Sequence, residues 1–340
     1  MNQRDIVLSL LDLNQKPPYL PAAFFLHFGP DYQRGQAAVD RHLAYFRHTG
    51  MDFVKIQYEH PFPPVPNIRR PGDWAKMPFH KLDFYQEPLR VVEGLVKAAK
   101  AEALVVLTLY SPFMFAGQVA GDRVVEHIRQ DPEQVKRGME IITESLKLFV
   151  RECIRLGLDG FYTSTQGGEA GRLTVGSGQL TVDSGQLDTS AQGGKTGSFN
   201  DRTLFDACIR PYDLALMEEA NRGTLFNILH VCDYHLPYAS LAPYKDYPGQ
   251  VVSAGLELTG GKLSPQEVSR LFGRPFLGGL DRKGVIATGS QEEIRRAVEA
   301  LLTAGPERFI LGADCTVPGE TPWDNLKTAI STAHSFKNRG

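Results

Sequence analysis

The stretch PEQVKRGMEIITESLKLFVRECIRL, residues 132–156, runs through Gly157 into LDGFYTS, residues 158–164. In its first part Val135, Met139, Ile142, Leu146, Phe149 and Cys153 recur at three- and four-residue spacing, the stripe of a helix buried along one side. Gly157 stands where a helix commonly closes in a left-handed cap. The short run after it, apolar and bounded by turn residues, reads as a strand. Helix, cap and strand in immediate succession make the unit from which the rest of the chain is read.

Seven further runs have the same character: PAAFFLH (21–27), DFVKIQY (52–58), LVVLTLY (104–110), TLFNILH (224–230), QVVSAGL (250–256), RPFLGGLD (274–281) and RFILGAD (308–314). Most are nearly continuous in apolar content rather than alternating, as parallel strands under a layer of helices are. Helical spacing fills the intervals at 37–49, 88–100, 203–221, 265–272, 291–304 and 323–336, and Ser290 with Glu293 reads as a capping box. Between 231 and 249 three prolines leave room for a short helix at most. Eight strands with helical connections predict an α/β fold, a (β/α)8 TIM barrel occupying 1–340 as one domain. An open Rossmann-like sheet is the alternative, and it lacks a G-x-G-x-x-G after the first strand.

Two segments break the rhythm. Residues 103–121 carry no charge, but Ser111-Pro112 and Gly117-Gln118 interrupt them, so a buried strand followed by a loop is expected rather than a membrane span. Residues 167–200 hold nine glycines and repeat a seven-residue unit, LTVGSGQ then LTVDSGQ. Gly and Ser are poor helix formers, so this reads as a flexible low-complexity insertion after the fourth strand that grew by duplication.

Composition narrows the function. Across 340 residues 39 acidic side chains face 37 basic ones, a net charge of −2, so no nucleic-acid partner is expected. An apolar share of 42% is enough for a large core and argues against general disorder. Four scattered cysteines, with no CxxC and no export signal at the start, lead us to expect a reducing cytoplasm, without membrane attachment.

In a barrel, chemistry sits at the C-terminal ends of the strands. Those positions carry His27, Gln57, Glu59, His60, Tyr110, Ser111, Gln166, His230, Cys232, Glu257, Asp281, Asp314 and Cys315. His230 and Cys232 are two residues apart, so on an extended segment both side chains project to one side, and Cys315 leaves the last strand at the same rim. Two sulfurs and an imidazole suit Zn2+ with an open position. A buried cysteine is also a common small core filler, and a lone histidine is often structural.

The order of segments resembles the uroporphyrinogen decarboxylase superfamily, which includes the heme-pathway decarboxylase and zinc-dependent methyltransferases acting on corrinoids. The resemblance rests on Tyr110-Ser111-Pro112-Phe113, GLDG (157–160) leading to Ser164-Thr165-Gln166-Gly167, Pro211-Tyr212-Asp213, NILHVC (227–232), GGLD (278–281), and LGADCTVP (311–318) with Thr321-Pro322 and Asn325. Where the decarboxylases carry an Arg-rich RQAGR pattern, this chain has Leu26-His27-Phe28-Gly29-Pro30. The resemblance therefore implies the methyltransferase branch. It assigns His230, Cys232 and Cys315 to zinc and catalysis, adds Glu257 as a fourth ligand, and leaves His27, Gln57, Glu59, Tyr110 and Gln166 to orient substrate. A methylcorrinoid is implied as methyl donor or acceptor, supplied free or by a separate corrinoid protein, and the other partner is a small-molecule thiol or methylated substrate. A homodimer is left open. The competing readings are a metal-free, tetrapyrrole-acting carboxy-lyase and a non-catalytic corrinoid or metal carrier.

Overall fold

The structure, a computed structural model, describes residues 2–121, 123–168, 201–234 and 237–336. Of the expected insertion, residues 169–200 lie outside that set. Among the described residues nine strands follow in chain order: β1 (Phe53–Ile56), β2 (Leu104–Tyr110), β3 (Gly160–Thr165), β4 (Ile228–Val231), β5 (Val251–Ala254), β6 (Glu257–Leu258), β7 (Gly261–Lys262), β8 (Phe276–Leu280) and β9 (Phe309–Ala313). Seven of them form one parallel sheet in the order β1-β2-β3-β4-β5-β8-β9, while β6 and β7 make a separate antiparallel hairpin. Because these seven strands run parallel, their C-terminal ends lie along one rim.

The predicted first strand, residues 21–27, is not a strand. It touches β9 through a single bridge, Ala22 to Leu311, so among the described residues the sheet has seven strands and not the eight of the expected barrel. The physical reason lies in what its backbone groups bind. Side chains take the place of a ladder: Ala22 N–H donates to Asp52 Oδ2 at 2.7 Å, Tyr45 Oη donates to the Phe24 carbonyl at 2.8 Å, and Gln57 Nε2 donates to the Leu26 carbonyl at 2.7 Å. Pro21 has no N–H to offer. The segment still lies along both sheet edges, with Ala23 N–H on the Leu311 carbonyl at 2.8 Å and Asp52 N–H on the Ala22 carbonyl at 3.0 Å.

A second correction concerns the stretch after β2. The expected loop is a helix, Pro112–Ala120, whose N-cap Ser111 accepts from Met114 N–H and whose first residue is Pro112. Proline at the first helical position gives up only an N–H that has no partner there in any case, so the Ser-Pro pair starts this helix instead of breaking it. Every residue in it but Gln118 is buried, as a helix with so little polar surface requires. The predicted helix at 203–221 divides into Arg202–Cys208 and Arg210–Asn221, because Pro211 cannot continue the first ladder. The deciding stretch forms the helix Pro132–Arg155 with its whole apolar stripe buried, and Gly157 turns the chain at φ +90° into β3. Ser290 and Glu293 form the expected capping box. No helix among the described residues is long and apolar enough to cross a membrane.

Behind β1, on the helix Gly35–Thr49, His42 is fully enclosed. Its Nδ1 sits 2.7 Å from the Ala38 carbonyl, and its Nε2 accepts from Gln57 N–H at 3.1 Å. Nδ1 must therefore carry the proton, and a second proton on Nε2 would oppose a donor. Burial pushes this imidazole down to about 4. An unfolded histidine protonates near 6.5, so the stability brought by the neutral ring is complete above that pH and is lost as pH falls toward 4, roughly 3 kcal/mol in all. The His42→Gln variant is expected to lack this acid sensitivity. Urea midpoints at pH 7 and pH 4.5 check it: the gap between wild type and variant should narrow on acidification, and an unchanged gap would count against this account.

Candidate metal centre

β4 delivers His230 to the rim in register with Ser164 on β3 and Ser253 on β5. Ser253 Oγ lies 3.2 Å from His230 Nδ1, and the Tyr162 ring stacks on the imidazole with centroids 4.8 Å apart. These contacts fix the ring and leave Nε2 buried with no hydrogen-bond partner among the described residues. A buried imidazole nitrogen left bare in this way is costly unless something else occupies it.

One step past β4 lies Cys232, whose N–H donates to the Thr165 carbonyl at 3.0 Å and whose Sγ accepts from Gln166 Nε2 at 3.4 Å. Below it Asp213 is buried, accepts from Thr165 Oγ1, and is pushed up to about 7 by that burial. Cys315 follows β9, with its N–H on Asp314 Oδ1 at 3.0 Å. One donor atom from each of His230, Cys232 and Cys315 lies within 4.8 Å of the others, and all three residues are buried. Contact between the two sulfurs draws the Cys315 thiol down and holds Cys232 up, with the His230 imidazole and Arg282 also favouring the Cys315 thiolate.

The remaining predicted residues fall into two groups. His27 Nδ1 and Glu59 Oε1 pair at 2.6 Å, and the other Glu59 oxygen is buried and unpartnered. Gln57 Oε1 accepts from Lys55 Nζ at 2.8 Å and from Thr108 Oγ1 at 3.2 Å. Tyr110 ends β2, and burial raises its phenol, with Glu59, Cys232 and Cys315 adding to the shift. Gln57 and Glu59 also line a cavity of about 20 Å3 with His42 and His60, room for about one water. Glu257 stands apart. It lies on β6 and pairs with Lys262 across the hairpin at 2.6 Å with its side chain 67% exposed, so it is not among the clustered donors. The hairpin register sets Glu257 opposite Lys262, which gives its carboxylate another partner.

Two functional candidates escaped the sequence reading. Lys55, in the middle of β1, is buried with its Nζ 4.5 Å from the Phe25 ring centre and 4.6 Å from that of Tyr162. Burial pushes its ammonium down to about 7, against the opposing pull of Cys315 and Glu59. A single lysine inside the apolar run DFVKIQY was the available signal. Arg282 is the second; its partners lie 32 and 49 residues away in the chain, at Asp314 and Asp233, beyond the reach of any local pattern.

Comparison with known proteins places this geometry in context. A methyltransferase from Methanosarcina mazei is similar in structure at a TM-score of 0.72, with 12% identity and 98% of each chain covered. An endo-1,4-beta-mannanase from Rhizomucor miehei is similar at 0.52, with 11% identity over 94% of this chain and 95% of that one. At such identities the likeness is one of fold, and the two names describe different chemistries. No curated protein matches the chain in sequence. Residues 195–336 match the uroporphyrinogen decarboxylase (URO-D) family. The segment matched by that family supplies all three clustered donors, His230, Cys232 and Cys315.

Proposed function

We propose that this protein is a zinc-dependent methyltransferase that moves a methyl group from a corrinoid, or another methyl donor, to a small-molecule thiol. The observation that carries the reading is the convergence of His230, Cys232 and Cys315, with donor atoms within 4.8 Å and the His230 Nε2 bare in the interior. Two sulfurs and one nitrogen match the ligand softness of zinc, and three protein donors leave room for a substrate. The methyltransferase of similar fold supports the same class of reaction.

Zinc bound by these three residues would supply Lewis acidity that favours the thiolate of an incoming thiol at neutral pH. In the transfer a sulfur–carbon bond forms, the donor keeps the electron pair of the bond it loses, and the thiol proton is released. The chain's own residues prepare that event. Gln166 holds Cys232 Sγ in place, while Ser253 and Tyr162 hold His230. We assign His27, Gln57, Glu59 and Tyr110, which lie at and after the ends of β1 and β2 and of the segment 21–27, to orienting the substrate, a contribution of position rather than of bond chemistry.

The test is transfer from methylcobalamin to a panel of small thiols, followed by cobalt absorbance and by mass spectrometry of the thioether. Zinc-loaded protein is expected to consume methylcobalamin and methylate at least one thiol. Failure with every thiol, together with carbon dioxide release from a carboxylated tetrapyrrole, would contradict the proposal and favour a lyase.

A further inference from the structure

β4 and β9 carry the two clustered cysteines at their ends, yet β5 and β8 separate them in the sheet, so no strand ladder fixes the distance between the sulfurs. Something across the rim must do so. Arg282, two residues past β8, reaches both segments. Its guanidinium meets Asp314 Oδ2 at 2.7 Å through Nη1, and the same nitrogen lies 3.7 Å from Asp233 Oδ1. Its Nη2 is 3.5 Å from the Tyr234 carbonyl, and the group lies 5.1 Å from the Tyr234 ring centre. Asp233 directly follows Cys232, and Asp314 directly precedes Cys315.

The Asp314 contact reaches the backbone as well. Its Oδ1 accepts from Arg282 N–H at 2.7 Å and from Cys315 N–H at 3.0 Å, so one carboxylate joins the β8 turn to the cysteine's own peptide. On the other side Gly255 leaves space for Asp233, since a Cβ there would lie 1.9 Å from Asp233 Oδ2. Only about 12% of the Arg282 side chain is exposed, as is the case for Asp233. The planar, fork-shaped guanidinium suits this arrangement of several acceptors, whereas an ammonium offers the same charge without the fork.

We infer that Arg282 is a positioning residue that brackets the two cysteine-bearing segments and holds their sulfurs at metal-binding separation before the cation arrives. The inference rests on the proposal that His230, Cys232 and Cys315 hold zinc.

The experiment compares wild type with Arg282→Lys, which keeps the charge and loses the fork. Zinc affinity is measured by competition with a chromophoric chelator, and Co2+ is used as a spectroscopic probe of thiolate ligation. Outer partners of metal sites typically change affinity by about 10- to 100-fold when replaced, and a drop of that size is expected for Arg282→Lys, with weaker sulfur-to-cobalt charge-transfer absorption. Affinity within twofold of wild type and an unchanged cobalt spectrum would overturn the bracket while leaving the metal proposal standing. Wild type that binds no zinc would instead remove the metal proposal itself. Should Arg282→Lys fail to fold, Asp314→Asn is measured the same way: a tenfold or greater drop supports the bracket and an unchanged affinity overturns it.

Discussion

The Cys232→Ser, Cys315→Ser double variant is expected to fold as the wild type does and to purify without zinc, its affinity lower by on the order of 1000-fold or more. Both sulfurs sit in buried positions, and replacing sulfur by oxygen changes the side-chain volume little. The hydroxyl at 232 would still lie near the Gln166 amide that now faces Cys232 Sγ. What is lost is the pair of soft, deprotonable donors, and a neutral hydroxyl is a poor substitute for a thiolate at zinc. Metal analysis after dialysis, together with circular dichroism, checks both halves of the expectation. Stoichiometric zinc in the double variant would mean that the ion binds elsewhere.

Gly160→Ala is expected to cost about 4 kcal/mol or more, or to prevent folding altogether. Gly160 opens β3, and a Cβ built there would lie 1.6 Å from the Phe226 carbonyl oxygen, a backbone atom that has no side-chain freedom with which to move aside. The neighbouring contact is just as fixed, because Phe161 N–H donates to Asn227 Oδ1 at 2.9 Å. Relief would require β3 and the lead into β4 to separate, and β4 is the strand that carries His230. Gly29→Ala provides the control. Nothing lies within 4 Å of its added methyl, and Gly29 has φ of −59°, so its effect should stay within about 0.5 kcal/mol. Chemical denaturation of the two variants side by side decides the matter, and equal stabilities would contradict the close approach of β3 to the β4 lead.

Most of the architecture was legible because local pattern and global position agreed. The runs at 104–110 and 265–272 match their elements to the residue, since uninterrupted apolar content and a Ser-Pro start leave little choice of boundary. The run at 21–27 misled for a physical reason: apolar content reports burial, not who satisfies the backbone, and here Asp52, Tyr45 and Gln57 do so with their side chains. Ser111-Pro112 misled because the same pair that ends one element can begin the next.

At the site, spacing alone suggested that His230 and Cys232 share a direction, and strand order suggested where Cys315 emerges; the three do meet. Glu257 failed as a member of that group because position past a strand end does not foretell a hairpin. Lys55 showed only as a lone charge inside an apolar run, and Arg282 left no local signal at all. Each is defined by partners brought together only by the folded sheet.

One imidazole and two thiolates, from β4 and from the residues just past β4 and β9, are expected to grip a single zinc ion. X-ray absorption at the zinc edge of the loaded protein tests this most directly. The account predicts a first shell with two sulfur scatterers at ~2.3 Å and nitrogen or oxygen at ~2.0 Å, with both sulfurs lost in the double cysteine variant. A wild-type shell made only of oxygen and nitrogen would contradict it.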